Sequence, residues 1–316
     1  MPTFCRHNRF VENCPICRTP EPEPAARPRA PRRGAGGGRA GGATGTRSLR
    51  VSRVEQAADD GFRTGLAPGL RAGADAERLA AELAFSAGRL AQLATDPPGP
   101  FADVGSLPDA DAAIALAFLI AYVSPGAGDA EWAGVAAAAQ TPWREWPPSL
   151  DGVPTGPRSP HDPARGTATL EAYRGWAQRA GSQQAALEGE PAWPAERRFA
   201  RAFERLALPG LPRATRLDFL MALGRTGRLE ARSDSLFMSA GDDDAVVGAK
   251  RVFGIGDPML IDRRARDLAE ACALPFDALD LALYNWQRGG ERVTLGAGSE
   301  ALDDDVRARV AAELGV

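Results

Sequence analysis

Leu208-Pro-Gly-Leu-Pro-Arg-Ala-Thr-Arg-Leu-Asp-Phe-Leu220 and Ala249-Lys-Arg-Val-Phe-Gly-Ile-Gly-Asp-Pro-Met-Leu-Ile-Asp-Arg-Arg-Ala-Arg266 are the two segments on which the fold turns. The residues just before the first, Ala195 to Leu206, place Phe199, Ala202, Phe203 and Leu206 at helical spacing. Pro209-Gly210 breaks that helix. Pro212 opens another, at a position where a missing N–H costs little. A tight turn between two helices leaves backbone N–H groups free at the second helix's start, and with the helix dipole these suit a phosphate. Arg213 and Arg216 add positive charge in the first turns. Gly210, Arg213 and Arg216 are therefore candidate contacts to a phosphate backbone.

The wider chain has 316 residues, enough for one large or two modest domains with a sizeable core. It is rich in Ala, Arg and Gly, and Lys250 is its only lysine. The net charge of −3 is unevenly spread. Residues 1–53 hold eleven Arg against Glu12, Glu21 and Glu23, which gives +8 and leaves −11 for the remainder. A basic arm on an acidic body points to a polyanionic partner more strongly than the overall balance does. The longest apolar run, Ala112 to Val123, is too short to span a bilayer, so no membrane association is expected. No apolar stretch follows the N-terminus, so a cytoplasmic, nucleoid-associated location is expected.

Residues 1–18 read as a zinc knuckle. Cys5-x-His7 is followed by Cys14-Pro-Ile-Cys17, so Cys5, His7, Cys14 and Cys17 can complete a tetrahedral Cys₃His site for a structural Zn²⁺. A segment this short cannot bury a core, and metal binding would supply its folding energy. A redox Cys-x-x-Cys pair is the competing reading. Residues 19–53 are Pro-, Gly- and Arg-rich and read as a disordered basic linker.

From residue 54 to 316 the pattern is helical. Residues 75–95 form an amphipathic helix with Leu79, Leu83, Leu90 and Leu93 near one face, and Pro97-Pro98-Gly99-Pro100 stops it. Residues 109–123 are apolar nearly all round and belong in the core. Asp129 to Ala139 is a shorter helix. Residues 141–166 are proline-rich and read as a long irregular loop carrying His161. Leu170 to Arg179 and Glu300 to Leu314 resume helix. No strand run and no internal repeat is visible, so the expected class is all-α, built as a single domain of many short helices and acting as a monomer.

The first quoted segment resembles the helix-hairpin-helix of DNA glycosylases, whose usual form is Leu-Pro-Gly-hydrophobic-Gly followed by a basic and a small residue. Pro212 stands where the second glycine would be. Phe253-Gly-Ile-Gly-Asp-Pro-Met-Leu-Ile-Asp262 resembles the glycosylase segment in which a Phe-Gly turn and a proline precede a hydrophobic-Asp pair and a helix. More narrowly, Ala249 to Pro258 and Leu281-Ala-Leu-Tyr-Asn-Trp286 look like the α-glutamyl/putrescinyl thymine pyrophosphorylase-like branch of that superfamily, which is associated with thymine hypermodification in phage DNA. The resemblance covers the C-terminal third well and the rest loosely.

It implies a helix-hairpin-helix glycosylase-like domain and a DNA base-processing enzyme. Such an enzyme extrudes a base from the duplex and stabilises a sugar that develops positive charge. Asp262 takes the position of the family's catalytic carboxylate, with Arg263 beside it for a phosphate. In a competing register Gly254-Ile255-Gly256 is itself the hairpin, and Pro275-Phe-Asp277 supplies the hydrophobic-Asp pair. Lys250 is the only side-chain amine able to form a Schiff base, but the lysine of bifunctional members sits just after the hairpin glycines, where this chain has Arg213. That departure points to a monofunctional N-glycosylase. Tyr284 and Trp286 are candidate stacking partners for the extruded base, with Trp132 and Trp176 behind them. The rival reading is a non-catalytic DNA-binding or adaptor protein that uses the hairpin and the knuckle to hold duplex DNA.

Overall fold

Ala110–Val123 (α3) carries almost no polar side chain beyond Asp111, and that composition decides its place: from Ala113 to Val123 every residue is buried. Around it the computed structural model describes residues 57–126, 128–296 and 303–316. Before α3 come Gly73–Thr95 (α1) and Pro100–Ser106 (α2). After it come Asp129–Ala139 (α4), Gly166–Arg179 (α5), Gln183–Leu187 (α6), Ala195–Arg205 (α7), Arg213–Arg225 (α8), Asp244–Phe253 (α9), Pro258–Ala271 (α10), Ala278–Arg288 (α11) and Asp304–Leu314 (α12). Two short 3-10 turns, Trp143–Glu145 and Met238–Ala240, complete the set. No strand occurs among the described residues, so the all-α class stands. Among them, too, no helix is long and apolar enough to cross a membrane. The zinc-knuckle residues Cys5, His7, Cys14 and Cys17 lie outside the described residues, as does the basic linker.

Local sequence sets several of the helix starts. Asp109, Ser182, Asp243, Asp257 and Asp303 each accept hydrogen bonds from the first N–H groups of α3, α6, α9, α10 and α12. Each such cap is worth about 1 kcal/mol. Two apolar clusters form within the unit spanning residues 51–316. One gathers the helices from α2 to α8 around Phe118, Tyr173 and Phe219. The other gathers α9 to α12 around Phe253, Leu268 and Trp286. The 23-residue α1 serves both: Leu79 and Leu83 enter the second cluster, and Leu90 and Leu93 the first.

The stretch 141–166 is irregular, as its prolines require, yet it is built into the core. Trp146 is fully buried against the stacked Phe118 and Tyr173 rings, and its indole N–H donates to the Thr141 carbonyl. Arg158 from the same stretch reaches between the two clusters.

Candidate functional site

The first hairpin exposes its turn, at Pro209, Gly210 and Pro212, but not the helix that follows. The α7–turn–α8 arrangement forms where the sequence places it, with Gly210 at a φ of +74° turning the chain toward Thr169 of α5. However, α8 is buried from Arg213 to Leu223 and packs on α3 and α7. From Arg213 to Leu223 its side chains are apolar except for Thr215 and three charges, Arg213, Arg216 and Asp218. Arg213 is 0% exposed. Its Nε and Nη2 donate to Asp243 at 2.9 and 2.8 Å, and its Nη1 donates to the Leu236 carbonyl at 2.8 Å. The same Nη1 lies 2.7 Å from an oxygen of Asp280. Arg216 lies over the Phe203 ring and donates to the Phe203 carbonyl at 3.2 Å. The assignment of Arg213 and Arg216 to DNA phosphates is therefore corrected. Both guanidiniums are buried: Arg213 is satisfied by Asp243, Leu236 and Asp280, whereas Arg216 has the Phe203 ring and carbonyl and a buried Nε without a hydrogen-bond partner.

Those commitments belong to a chain of buried ions. Asp218 of α8 accepts from Arg158 Nε and Nη2, both at 3.0 Å. Arg158 Nη2 also donates to Asp280 of α11 at 2.8 Å. Asp280 meets Arg213, Arg213 meets Asp243, and Asp243 caps α9 through the N–H groups of Ala245 and Val246. Burial pushes the Asp280 carboxyl up, and the flanking Arg213 and Arg158 overcome this and hold it below its ordinary value. Burial dominates at Asp218, whose carboxyl ends above its ordinary value despite Arg158. Arg89, fully enclosed beside Asp218, is pulled down to about 10 by burial.

The second hairpin differs from the first. Gly254, at a φ of +65°, ends α9 and turns through Ile255 and Gly256 into α10. Gly69 packs against the end of α9, with its N–H donating to the Val252 carbonyl at 2.9 Å, and a Cβ there would lie 1.9 Å from the Arg251 carbonyl oxygen. Gly69, Arg71, Lys250, Arg251, Gly254, Ile255 and Gly256 line an open basin of about 470 Å³. Lys250 and Arg71 are exposed at its edge. Asp257, not a free helix end, faces the turn: it accepts from the N–H groups of Met259 and Leu260 at 2.9 and 3.0 Å.

The two aspartates of the competing registers have different surroundings. Asp262 is half-buried on α10 and accepts from Ser235 Oγ at 2.6 Å and from the Leu236 N–H at 2.9 Å. It straps the segment 233–237 to α10, with help from Arg266, which donates to the Asp234 carbonyl at 2.8 Å. Arg263, the next residue of α10, is exposed. Asp277 precedes α11, is 6% exposed, and receives a two-pronged contact from Arg225 at the end of α8, 3.1 Å from Nε and 2.5 Å from Nη2. Asp277 and Arg225 line a pocket of about 160 Å³ together with Phe199, Met221, Gly224, Ala231, Arg232 and Ser233. Of the two carboxylates, only Asp277 combines burial with a cavity.

The stacking candidates are core residues. Trp286 is fully buried, donates its indole N–H to the Asp75 carbonyl at 2.9 Å and lies under Arg78. Tyr284 is buried beneath Arg158 and donates to the Pro157 carbonyl at 3.3 Å. Their stacking role is corrected for the same reason as that of the arginines: α11 is buried on all sides from Ala278 to Trp286, and their polar atoms found partners inside. Arg225, Arg232 and Ser233 were not singled out from the sequence. Arg225 and Arg232 are two of 37 arginines, and nothing local marks them out. No protein-family model, curated protein or solved structure matches the chain.

Proposed function

We propose that the chain is a DNA base-processing enzyme acting as a monomer on double-stranded DNA, a monofunctional N-glycosylase whose carboxylate is Asp277. In this reading the α9–α10 hairpin is the DNA-facing element. The basin with Arg71, Lys250 and Arg251 offers the positive charge that a phosphate backbone requires, and the two glycines of the turn permit close approach. The observation that carries the reading is the Asp277 pocket. The paired Asp277 and Arg225 border a cavity with room for a ring-sized group, lined also by Phe199, Met221, Arg232 and Ser233. A buried carboxylate beside a sugar stabilises positive charge developing at its anomeric carbon and can orient the attacking water. Arg225 would hold Asp277 in place until substrate enters. Lys250, exposed at the hairpin, suits a phosphate contact, and water completes the reaction. Base excision repair and modified-base metabolism both employ such chemistry.

The test is a cleavage screen on duplex oligonucleotides carrying different lesions and modified bases, with alkali added to reveal abasic sites. Asp277→Asn should lower base release by about a hundredfold or more if the electrostatic contribution is typical, with duplex binding retained. Asp262→Asn should retain most activity, since it lacks the pocket. Loss confined to Asp262→Asn would return the site to the first register. Robust duplex binding with no base release from any substrate would favour the adaptor reading, which the existing Arg225–Asp277 pairing also suits.

A further inference from the structure

One wall of the Asp277 pocket is a flap, Glu230 to Ser233, strung between two fixed ends. Before it, the N–H groups of Arg228 and Leu229 both donate to the Leu223 carbonyl of α8, at 2.9 and 3.1 Å. After it, Ser233 Oγ donates to the Ser235 carbonyl at 2.6 Å, and Asp262 holds Ser235 and Leu236. The flap itself is held to the start of α7 by two reciprocal charge pairs. Glu196 accepts from Arg232, at 3.0 Å from Nε and also from Nη2, and Arg198 Nη1 lies 2.6 Å from Glu230. The Arg232 N–H adds a longer bond, 3.3 Å to the Ala195 carbonyl. The Arg232 and Glu230 side chains are 72% and 77% exposed. Pairs so open to water and salt contribute little net stability. Beneath them the flap lies directly on the end of α8: a Cβ added at Gly224 would strike the Ala231 carbonyl oxygen. Ser233 is buried and lines the pocket with Asp277. The guanidinium of Arg232 is held above its ordinary value first by Glu196, and the Asp277 charge contributes. Arg232 thus stands at the rim of the pocket, on a weak tether, within the field of the buried carboxylate.

We infer that residues 230–233 gate the Asp277 pocket, and that Arg232 opens it by trading Glu196 for a phosphate of the incoming nucleotide. The exchange rests on the reading of Asp277 as the carboxylate that meets the sugar; the gate itself does not. A sugar placed on Asp277 carries its two flanking phosphates to the rim, where Arg232 offers a planar fork that pairs with a phosphate more strongly than with an exposed carboxylate. The test uses the full chain with Ser233→Cys, pulsed with iodoacetamide and read by the mass of the peptide containing residue 233. Cys272, fully buried, reports global unfolding in the same sample. Residue 233 should label about tenfold or more faster than Cys272, since local opening costs less than global unfolding. Its rate should rise with salt. Adding Glu196→Gln should raise the rate several-fold at low salt and remove most of the salt response. Gly224→Ala, which leaves every charge in place and pushes the flap off α8, should give fast labelling at all salt concentrations. On a duplex substrate Arg232→Ala should raise KM for base release with kcat little changed, and Arg232→Lys should recover part of the loss.

Labelling at residue 233 that only keeps pace with Cys272, or that ignores Glu196→Gln and Gly224→Ala alike, would overturn the gate. An unchanged KM in Arg232→Ala, with labelling as expected, would overturn the exchange of partners and leave the gate. A gate that opens as expected in a protein that releases base from no duplex would stand, and the glycosylase reading alone would fall.

Discussion

Removing the Asp280 carboxylate is the sharpest perturbation of the fold. Asp280 is 0% exposed and sits 2.8 Å from Arg158 Nη2 and 2.7 Å from Arg213 Nη1. Both guanidiniums are themselves enclosed. The local charges are Arg158, Arg213 and Arg89 against Asp218, Asp280 and Asp243, three of each sign. Asp280→Ala leaves one buried positive charge uncompensated and two guanidiniums facing each other across the gap. Breaking a buried pair from one side typically costs about 3–5 kcal/mol, a large part of the roughly 5–15 kcal/mol that holds a domain together. The assay is urea unfolding followed by helical circular dichroism, reading the shift in midpoint at constant slope. Asp280→Asn, which keeps the shape and one acceptor, should fall between wild type and Asp280→Ala. A loss below about 1 kcal/mol for Asp280→Ala would refute the reasoning, since that is the range of an exposed pair. The pH sign follows from the lowered Asp280 carboxyl: its contribution is present above the unfolded carboxylate pKa near 3.8 and is lost as pH falls through its lower folded value. Asp218 runs the other way. Its raised carboxyl opposes folding at neutral pH, and that opposition is relieved as pH falls through its folded value toward 3.8.

Further outcomes are expected from the rest of the chain. Duplex binding should fall steeply with salt, and Arg71→Ala/Lys250→Ala should flatten the slope by about two phosphate contacts, read by fluorescence anisotropy across a salt series; an unchanged slope would remove the basin from the interface. Deleting residues 1–50 should weaken binding and leave the helical signal intact, because the compact unit begins at Val51. Purified protein should carry about one zinc per chain through Cys5, His7, Cys14 and Cys17, with Cys14→Ser losing it; iron, or no metal in reduced protein, would remove the knuckle. Cys272 is buried, and burial pushes its thiol up to about 11, so at pH 8 it should react with a thiol reagent only when the protein is unfolded.

What the sequence made legible follows the physics of each element. Apolar periodicity and proline or glycine stops carried α1, α3, α4, α7 and α12, because both are local properties of the sequence. The turn at Pro209-Gly210 was legible, but the burial of the helix that follows it was not. Nothing in Arg213-Ala-Thr-Arg announces that Asp243 and Asp280, thirty and more residues away, will claim the first arginine. The same limit hid Asp277. Its cavity exists only because Arg225 and the 231–233 segment fold over it, and those contacts span about fifty residues. Tyr284 and Trp286 were misplaced by a different rule: aromatic residues suit a base pocket and a core equally, and their position on α11 decided for the core.

The placement of Asp277 and Asp280 allows function and stability to be probed separately. They lie three residues apart, about 4.5 Å along the helix axis. Yet their partners Arg213 and Arg225 come from opposite ends of α8, twelve residues and about 18 Å apart. The two arginine side chains must therefore reach inward along α8 to meet one turn at the start of α11. Arg213 does so in full enclosure, tied also to Asp243 and Leu236, so its ion pair is part of what joins the two clusters. Arg225 does so from the rim, with its side chain 26% exposed and a cavity beside it. A ligand that draws Arg225 away from Asp277 has somewhere to put it and leaves the Asp280 pairs untouched. Asp277→Asn should accordingly cost far less stability than Asp280→Ala while costing more activity than any substitution at Asp262. If the two changes proved equally destabilising, Asp277 would be one more link in the structural chain of ions and not a group held ready for substrate.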